Sequence, residues 1–160
     1  AELIVHPRVQ KDRYQGSPRW EPYGATLEKA PFPVAYNGDI FGVDDLNSLL
    51  DAYPETQHVM LGRGIVANPA LARMIRGGNP ATLDELAHFH DRLFCEYEAL
   101  MGADNAAARM KEWWSYAKCC FADPASVHLA VRGVRGQAEY MAAVERIFCT
   151  EALADEPRLR

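Results

Sequence analysis

Two stretches of this chain end alike: "VAYNGDI" (34–40) and "HVMLGRGIVANP" (58–69). In each, a short apolar run breaks at a glycine and gives way to helical spacing. An Asn-Gly pair between two strands would mark a hairpin. Here Val43, Leu46, Leu49, Leu50 and Tyr53 follow at helical intervals, so a helix and not a returning strand comes next. With a third run, "ELIVH" (2–6), the runs "FPVAYN" (32–37) and "HVMLG" (58–62) give strand, helix, strand, helix. Strands separated by whole helices pair in parallel, so the expectation is a set of βα units. A strand this close to the first residue reads as part of something longer.

The rest of the chain has a different texture. Asn68-Pro69 starts a helix through about Arg76, and Gly77-Gly78 ends it. Thr82-Leu83-Asp84-Glu85 is a capping box, followed by a stripe of Leu83, Leu86, His90, Leu93, Tyr97 and Leu100. Gly102 breaks that helix. A second runs from about Asn105 to Phe121, Asp123-Pro124 opens a third, and Gly133 and Gly136 set off a fourth ending near Cys149. The tail "ADEPRLR" reads as frayed. The fold class expected is therefore α/β plus all-α, with residues 1–78 as βα units, 79–160 as a helical bundle, and the change at "GGNPA" (77–81).

A net charge of −5 argues against a nucleic-acid coat over the whole surface, though a local basic face is compatible with it. No apolar run approaches the roughly 18 residues of a membrane span. The cysteines Cys95, Cys119, Cys120 and Cys149 form no CxxC pair and lie in apolar helical contexts. They read as buried, reduced thiols of a cytoplasmic protein, with no metal site.

In a sheet of parallel βα units, ligands sit at the C-terminal ends of the strands. Gly38 and Gly62 follow two consecutive strands and let backbone N–H groups approach an anion without an intervening Cβ. Arg63 adds a permanent forked cation suited to phosphate oxygens. The Asn37-Gly38 and Gly62-Arg63 turns are thus candidates to grip one phosphate between them. His6 and Arg8 fall at the end of the first strand, where His6 could donate to a ring carbonyl. Asp39 is assigned the plainer task of capping the helix that follows. In the helical half, "ARMKEWWSYAKCCF" (108–121) interleaves aromatic and basic residues. Arg109, Lys111, Lys118, Arg132 and Arg135 face only Glu112 and Asp123 as local acids, a composition suited to nucleic-acid contacts. The alternative is an amphipathic helix with core tryptophans and a solvated basic face.

In this order, "LIVHPR", "YQG…W", "PVAYNGDI" and "VMLGRGIVANP" resemble the second half of a tRNA-dihydrouridine synthase, and "RMKEWWSYAKCCF" is most similar to the bacterial C-type branch. The resemblance covers nearly the whole chain. It implies the last three βα units of a TIM barrel followed by a tRNA-binding helical domain. It also implies FMN as cofactor, NADPH as reductant and reduction of a D-loop uridine, uridine 16 in that branch. It places His6 and Arg8 on the flavin and substrate side, and Asn37, Gly38, Gly62 and Arg63 on the FMN phosphate. It makes Arg109, Lys111, Lys118, Arg132 and Arg135 the tRNA contacts. The segment after the histidine departs from the family's pattern, reading Pro7-Arg8-Val9. The family's catalytic cysteine and flavin-contacting lysine would lie upstream, so no catalytic residue is assigned in this chain, and the full-length enzyme is expected to be a monomer. Two other readings remain: a different FMN-dependent TIM-barrel oxidoreductase acting on a small molecule, and a non-catalytic tRNA-binding fragment.

Overall fold

The computed structural model describes residues 2–9, 16 and 18–159. Tyr14 and Gln15 of the "YQG" stretch lie outside the described residues. Three short strands, β1 (Leu3–Val5), β2 (Val34–Tyr36) and β3 (His58–Val59), form one parallel sheet in the order β1-β2-β3. Helix α1 (Trp20–Lys29) joins the first pair and α2 (Val43–Ala52) the second. The expected βα arrangement is present, with strands shorter than the apolar runs. Leu3 pairs with Val34 and Val5 with Tyr36, while Tyr36 also pairs with Val59. Asn37 N donates to Val5 O at 2.9 Å and Met60 N to Tyr36 O at 2.7 Å, so the ladder runs on into the turns.

Central β2 is buried along its length, as a strand flanked on both sides should be. Its Tyr36 ring stands edge-on to Tyr23 of α1, centroids 5.0 Å apart, and the Tyr36 hydroxyl accepts from Trp20 Nε1. Burial pushes the Tyr36 phenol above its ordinary pKa. On edge strand β1, Leu3 and Ile4 are exposed. Helix α2 is started by Asp45, whose Oδ2 accepts from Phe41 N at 2.8 Å and Gly42 N at 2.9 Å. The cap expected from Asp39 is therefore supplied by Asp45, one turn into the helix and close enough to reach back.

The chain divides by its own contacts into Ala1–Gly64 and Ile65–Arg160. This division falls before the glycine-rich stretch at 77–81. Ala67 belongs to the helical core, Val66 O accepts from Trp113 Nε1 at 3.2 Å, and Ala67 O accepts from Cys120 Sγ at 3.3 Å. Helices α3 (Arg63–Ala67) and α4 (Leu71–Ile75) lead to α5 (Leu83–Met101), α6 (Ala103–Ala117), a 3-10 turn (Lys118–Cys120), α7 (Pro124–Arg132) and α8 (Gly136–Thr150).

Local rules account for these boundaries. Thr82 Oγ1 accepts from Glu85 N at 3.2 Å, and Glu85 Oε2 accepts from Thr82 N at 2.9 Å, which completes the capping box. The Arg73 fork holds the same carboxylate at 2.7 and 2.8 Å and keeps it far down, at about 2. Asp123 Oδ1 accepts from Ala125 N and Ser126 N to start α7. The core between α5, α6, α7 and α8 centres on Trp114, Met110, Tyr140, Phe121 and His90.

Three expectations are corrected here. Leu100, placed on the buried stripe of α5, is 78% exposed, because the stripe outlasts the surface that covers it. Cys119 and Cys120 are buried, but Cys95 and Cys149 are exposed on outward faces of α5 and α8. The tail is not frayed at its start: Phe121 and Leu153 form an antiparallel bridge, Ala154 N donates to Cys120 O at 2.9 Å, and Leu159 packs on the core.

Candidate functional site

Parallel pairing in adjacent order brings the ends of β1, β2 and β3 to one edge of the sheet. His6, Arg8, Asn37, Gly38, Asp39, Gly62 and Arg63 all follow these ends. Residues 31 apart in sequence meet there: His6 Nδ1 lies 2.5 Å from the carbonyl oxygen of Asn37. A carbonyl only accepts, so Nδ1 carries the proton, and Nε2 of the neutral ring is an acceptor. Donation from Nε2 to a ring carbonyl would require the imidazolium.

Asp39 is the hub of this edge. Its Oδ2 pairs with Arg8 Nη2, and its Oδ1 accepts from Arg63 Nη2 at 2.7 Å. Arg8 Nη2 also donates to Gly16 O at 2.8 Å, and the Arg63 guanidinium lies 5.3 Å from the centroid of the Phe41 ring. Asp39 thus brings two guanidiniums together at this edge, and a guanidinium fork suits an anion. Sequence reasoning assigned Asp39 to a helix cap. Its position straight after the Asn-Gly turn was the one signal that it belongs with the strand ends.

The two glycine turns differ. A Cβ on Gly38 would collide with the hydroxyl and ring of Tyr36, which is itself fixed by Tyr23 and Trp20. Gly38 is thus required by the packing of its own strand. A Cβ on Gly62 would meet nothing within 4 Å, so the backbone there is open to an approaching group.

In the helical unit, both tryptophans serve the core. Trp114 is fully buried with Nε1 donating to the Tyr140 hydroxyl at 2.9 Å, and Trp113 is buried and bonded to Val66 O. They are not available to stack on bases. Among the basic residues, Lys111 Nζ donates to Val134 O in the turn between α7 and α8, the turn that also carries exposed Arg132 and Arg135. Three of the five candidates therefore gather at that turn. Arg109 lies about 200° around α6 from Lys111, exposed and paired with Glu112 at 2.5 Å. It lines a different feature, an apolar cleft of about 540 Å³ with Ile65, Val66, Phe89 and Tyr116. Lys118 is half-buried on the 3-10 turn. Among the described residues there is no cluster that could hold a metal ion and no helix long and apolar enough to cross a membrane.

Comparison with known proteins adds an independent line. A family model described as "Dihydrouridine synthase (Dus)" matches residues 1–110. A tRNA-dihydrouridine(16) synthase of Ralstonia nicotianae is 29% identical over 154 residues, covering 91% of this chain and 46% of that protein. The corresponding protein of Cupriavidus necator is 30% identical over 156 residues, with 92% and 46% covered. That of Neisseria meningitidis serogroup A is 33% identical over 130 residues, with 77% and 38% covered. The chain spans less than half the length of these relatives.

Proposed function

The chain belongs to the dihydrouridine synthase family, and from that premise we propose that it is the C-terminal part of an FMN-dependent tRNA-dihydrouridine synthase. The whole enzyme would reduce a D-loop uridine of tRNA, uridine 16, to dihydrouridine with NADPH as reductant. The observation that carries this reading is the strand-end cluster, where three parallel βα units place His6, Arg8, Asn37, Asp39 and Arg63 together. Such units at one edge of a barrel of parallel strands are where a phosphate-bearing cofactor is held.

The residues present fit FMN. The edge carries two guanidiniums, and the open backbone at Gly62 would allow close approach by a phosphate. Asn37, Gly38, Gly62 and Arg63 would hold that phosphate, with Arg8 and His6 on the flavin and substrate side. FMN, when bound, supplies the hydride that reduces the uracil C5–C6 bond. Arg63 would neutralise phosphate charge through its fork. His6, its Nδ1–H donated to Asn37 O, would be held on the flavin and substrate side. All four cysteines lie in helices or the 3-10 turn of the helical unit, and none directly follows a strand in sequence. The relatives' greater length leaves room for the proton-donating cysteine upstream that the family resemblance implies. Lys111, Lys118, Arg109, Arg132 and Arg135 would contact tRNA phosphates, the α7–α8 turn being the strongest candidate surface.

The reading is tested with Arg63→Ala in the full-length enzyme. The substitution removes a charge-assisted contact of about 1.5–3 kcal/mol, so FMN affinity should fall by roughly 10- to 150-fold. Unchanged affinity in a flavin titration would place the phosphate elsewhere.

A further inference from the structure

We infer that the cleft between α5 and α6 takes one unstacked guanine of an RNA, with the base on Phe89 and its Watson–Crick edge against Glu112 and Arg109. The inference rests on tRNA being the substrate and uses nothing of the strand-end cluster. Phe89, Leu93 and Tyr97 recur every four residues along α5, so they share a face; Arg109, Glu112 and Tyr116 do the same along α6. The two helices form a hairpin that turns at Gly102, and these stripes line a cleft of about 540 Å³ with Ile65 and Val66. That volume lies within the range of small-ligand sites.

Three features point to a flat ligand with a polar edge. Phe89 is 37% exposed, and its ring packs on Trp113, centroids 5.9 Å apart, while Trp113 is itself tied to Val66 O. A held, exposed aromatic ring is a stacking surface for a base. The hydroxyls of Tyr97 and Tyr116, in the same cleft, have no hydrogen-bond partner among the described residues. Arg109 and Glu112 pair at 2.5 Å with side chains 54% and 58% exposed. So exposed a pair adds little to stability, and either group can turn to a ligand at small cost. A carboxylate offers two accepting oxygens and a guanidinium only donors. Among the four bases, guanine alone presents two neighbouring donors, N1–H and N2–H, beside an accepting O6. Glu112 would accept from the two N–H groups and Arg109 would donate to O6, leaving other Arg109 donors for a phosphate. A carboxylate here also repels the RNA backbone, so it lowers general affinity. Its use is to choose the base.

Inosine differs from guanosine only by lacking the N2 amino group, so it isolates the contact to Glu112. An unmodified tRNA transcript with inosine placed at random single guanosines is bound to the full-length enzyme, and bound and free pools are compared position by position. Wild type should disfavour inosine at one unpaired guanine by about tenfold. Glu112→Gln, with one accepting oxygen in place of two, should lose that preference and keep the rest of the pattern. Phe89→Leu keeps an apolar wall but removes the ring. It should lower tRNA affinity by about fivefold or more at an unchanged log-salt slope, because no phosphate contact is lost. Absence of an inosine effect at every unpaired guanine, or the same effect in Glu112→Gln, overturns the inference and leaves tRNA as the substrate. Wild-type affinity in Phe89→Leu also overturns it and gives the cleft to another occupant, such as a protein segment. Glu112 is exposed on α6, so its result stands even where Phe89→Leu disturbs the packing on Trp113. Failure of wild type to bind the transcript at all overturns the tRNA reading itself, and this inference with it.

Discussion

Tyr140→Phe should destabilise the helical unit far more than the loss of one oxygen suggests. The Tyr140 hydroxyl accepts from Trp114 Nε1 at 2.9 Å and lies 2.6 Å from His90 Nε2. Its proton therefore points to Nε2, His90 carries its own proton on Nδ1, and Nδ1–H donates to Asp91 Oδ1 at 2.9 Å. Trp114 and His90 are both fully buried. Phenylalanine keeps the shape but strands an indole N–H and an imidazole nitrogen, at about 1–3 kcal/mol each. A total of about 2–6 kcal/mol, with a urea m-value of about 2 kcal/mol/M, moves the midpoint down by roughly 1–3 M at constant m. The network also fixes a pH dependence. Burial among Phe94, Trp113, Trp114 and Tyr140 lowers the His90 pKa, with Asp91 opposing. The unfolded histidine, with pKa about 6.5, takes up a proton before the folded one does. Stability is thus fully present above that pH and falls as the pH drops toward the folded value, by at most about 1.4 kcal/mol per pH unit. His90→Gln should flatten this component. A Tyr140→Phe midpoint within experimental error of wild type, or equal pH slopes for wild type and His90→Gln, would refute the hydrogen-bond assignment.

Two further outcomes follow from the geometry. Gly38→Ala should cost about 1–3 kcal/mol through overpacking against Tyr36, whereas Gly62→Ala, facing open space, should stay within about 0.5 kcal/mol; equal effects in denaturant titrations would contradict the distinction between the two turns. Lys111→Glu with Lys118→Glu in the full-length enzyme should weaken tRNA binding and reduce its log-affinity against log-salt slope by about one unit for each phosphate no longer neutralised, with the flavin spectrum intact. An unchanged slope in filter binding would make these lysines structural or merely solvated.

What could be read from sequence was whatever a local rule decides. The capping box at Thr82, the Asp123-Pro124 start, the break at Gly102 and the alternation of strands and helices each depend on a few neighbouring residues. Neighbourhoods made by topology were not legible. Arg8 and Asp39 are 31 residues apart, and Arg63 and Asp39 are 24 apart; no periodicity joins them, and only the parallel order of three strands makes them neighbours. The paired tryptophans show the same limit. Helix α6 is packed by α5, α7 and α8, so its exposed stripe narrows to residues such as Asn105, Arg109 and Glu112, and Trp113 and Trp114 can both be buried among charged neighbours. Only the completed bundle tells a core tryptophan from a stacking platform.

The two glycine turns, alike in sequence, therefore do different work. In the first, Gly38 leaves room for the Tyr36 ring, and Tyr36 sits in the central strand with its hydroxyl bonded to Trp20. A turn locked in this way gives Asn37 O a fixed place to meet His6 and gives Asp39 a fixed place to meet two arginines. The second turn carries the solvent-facing cation and the open backbone, and nothing in its packing demands a glycine at 62. If the proposed FMN site is right, its phosphate contacts should weigh on Gly62 and Arg63, with the Asn37–Asp39 turn as the frame beside them.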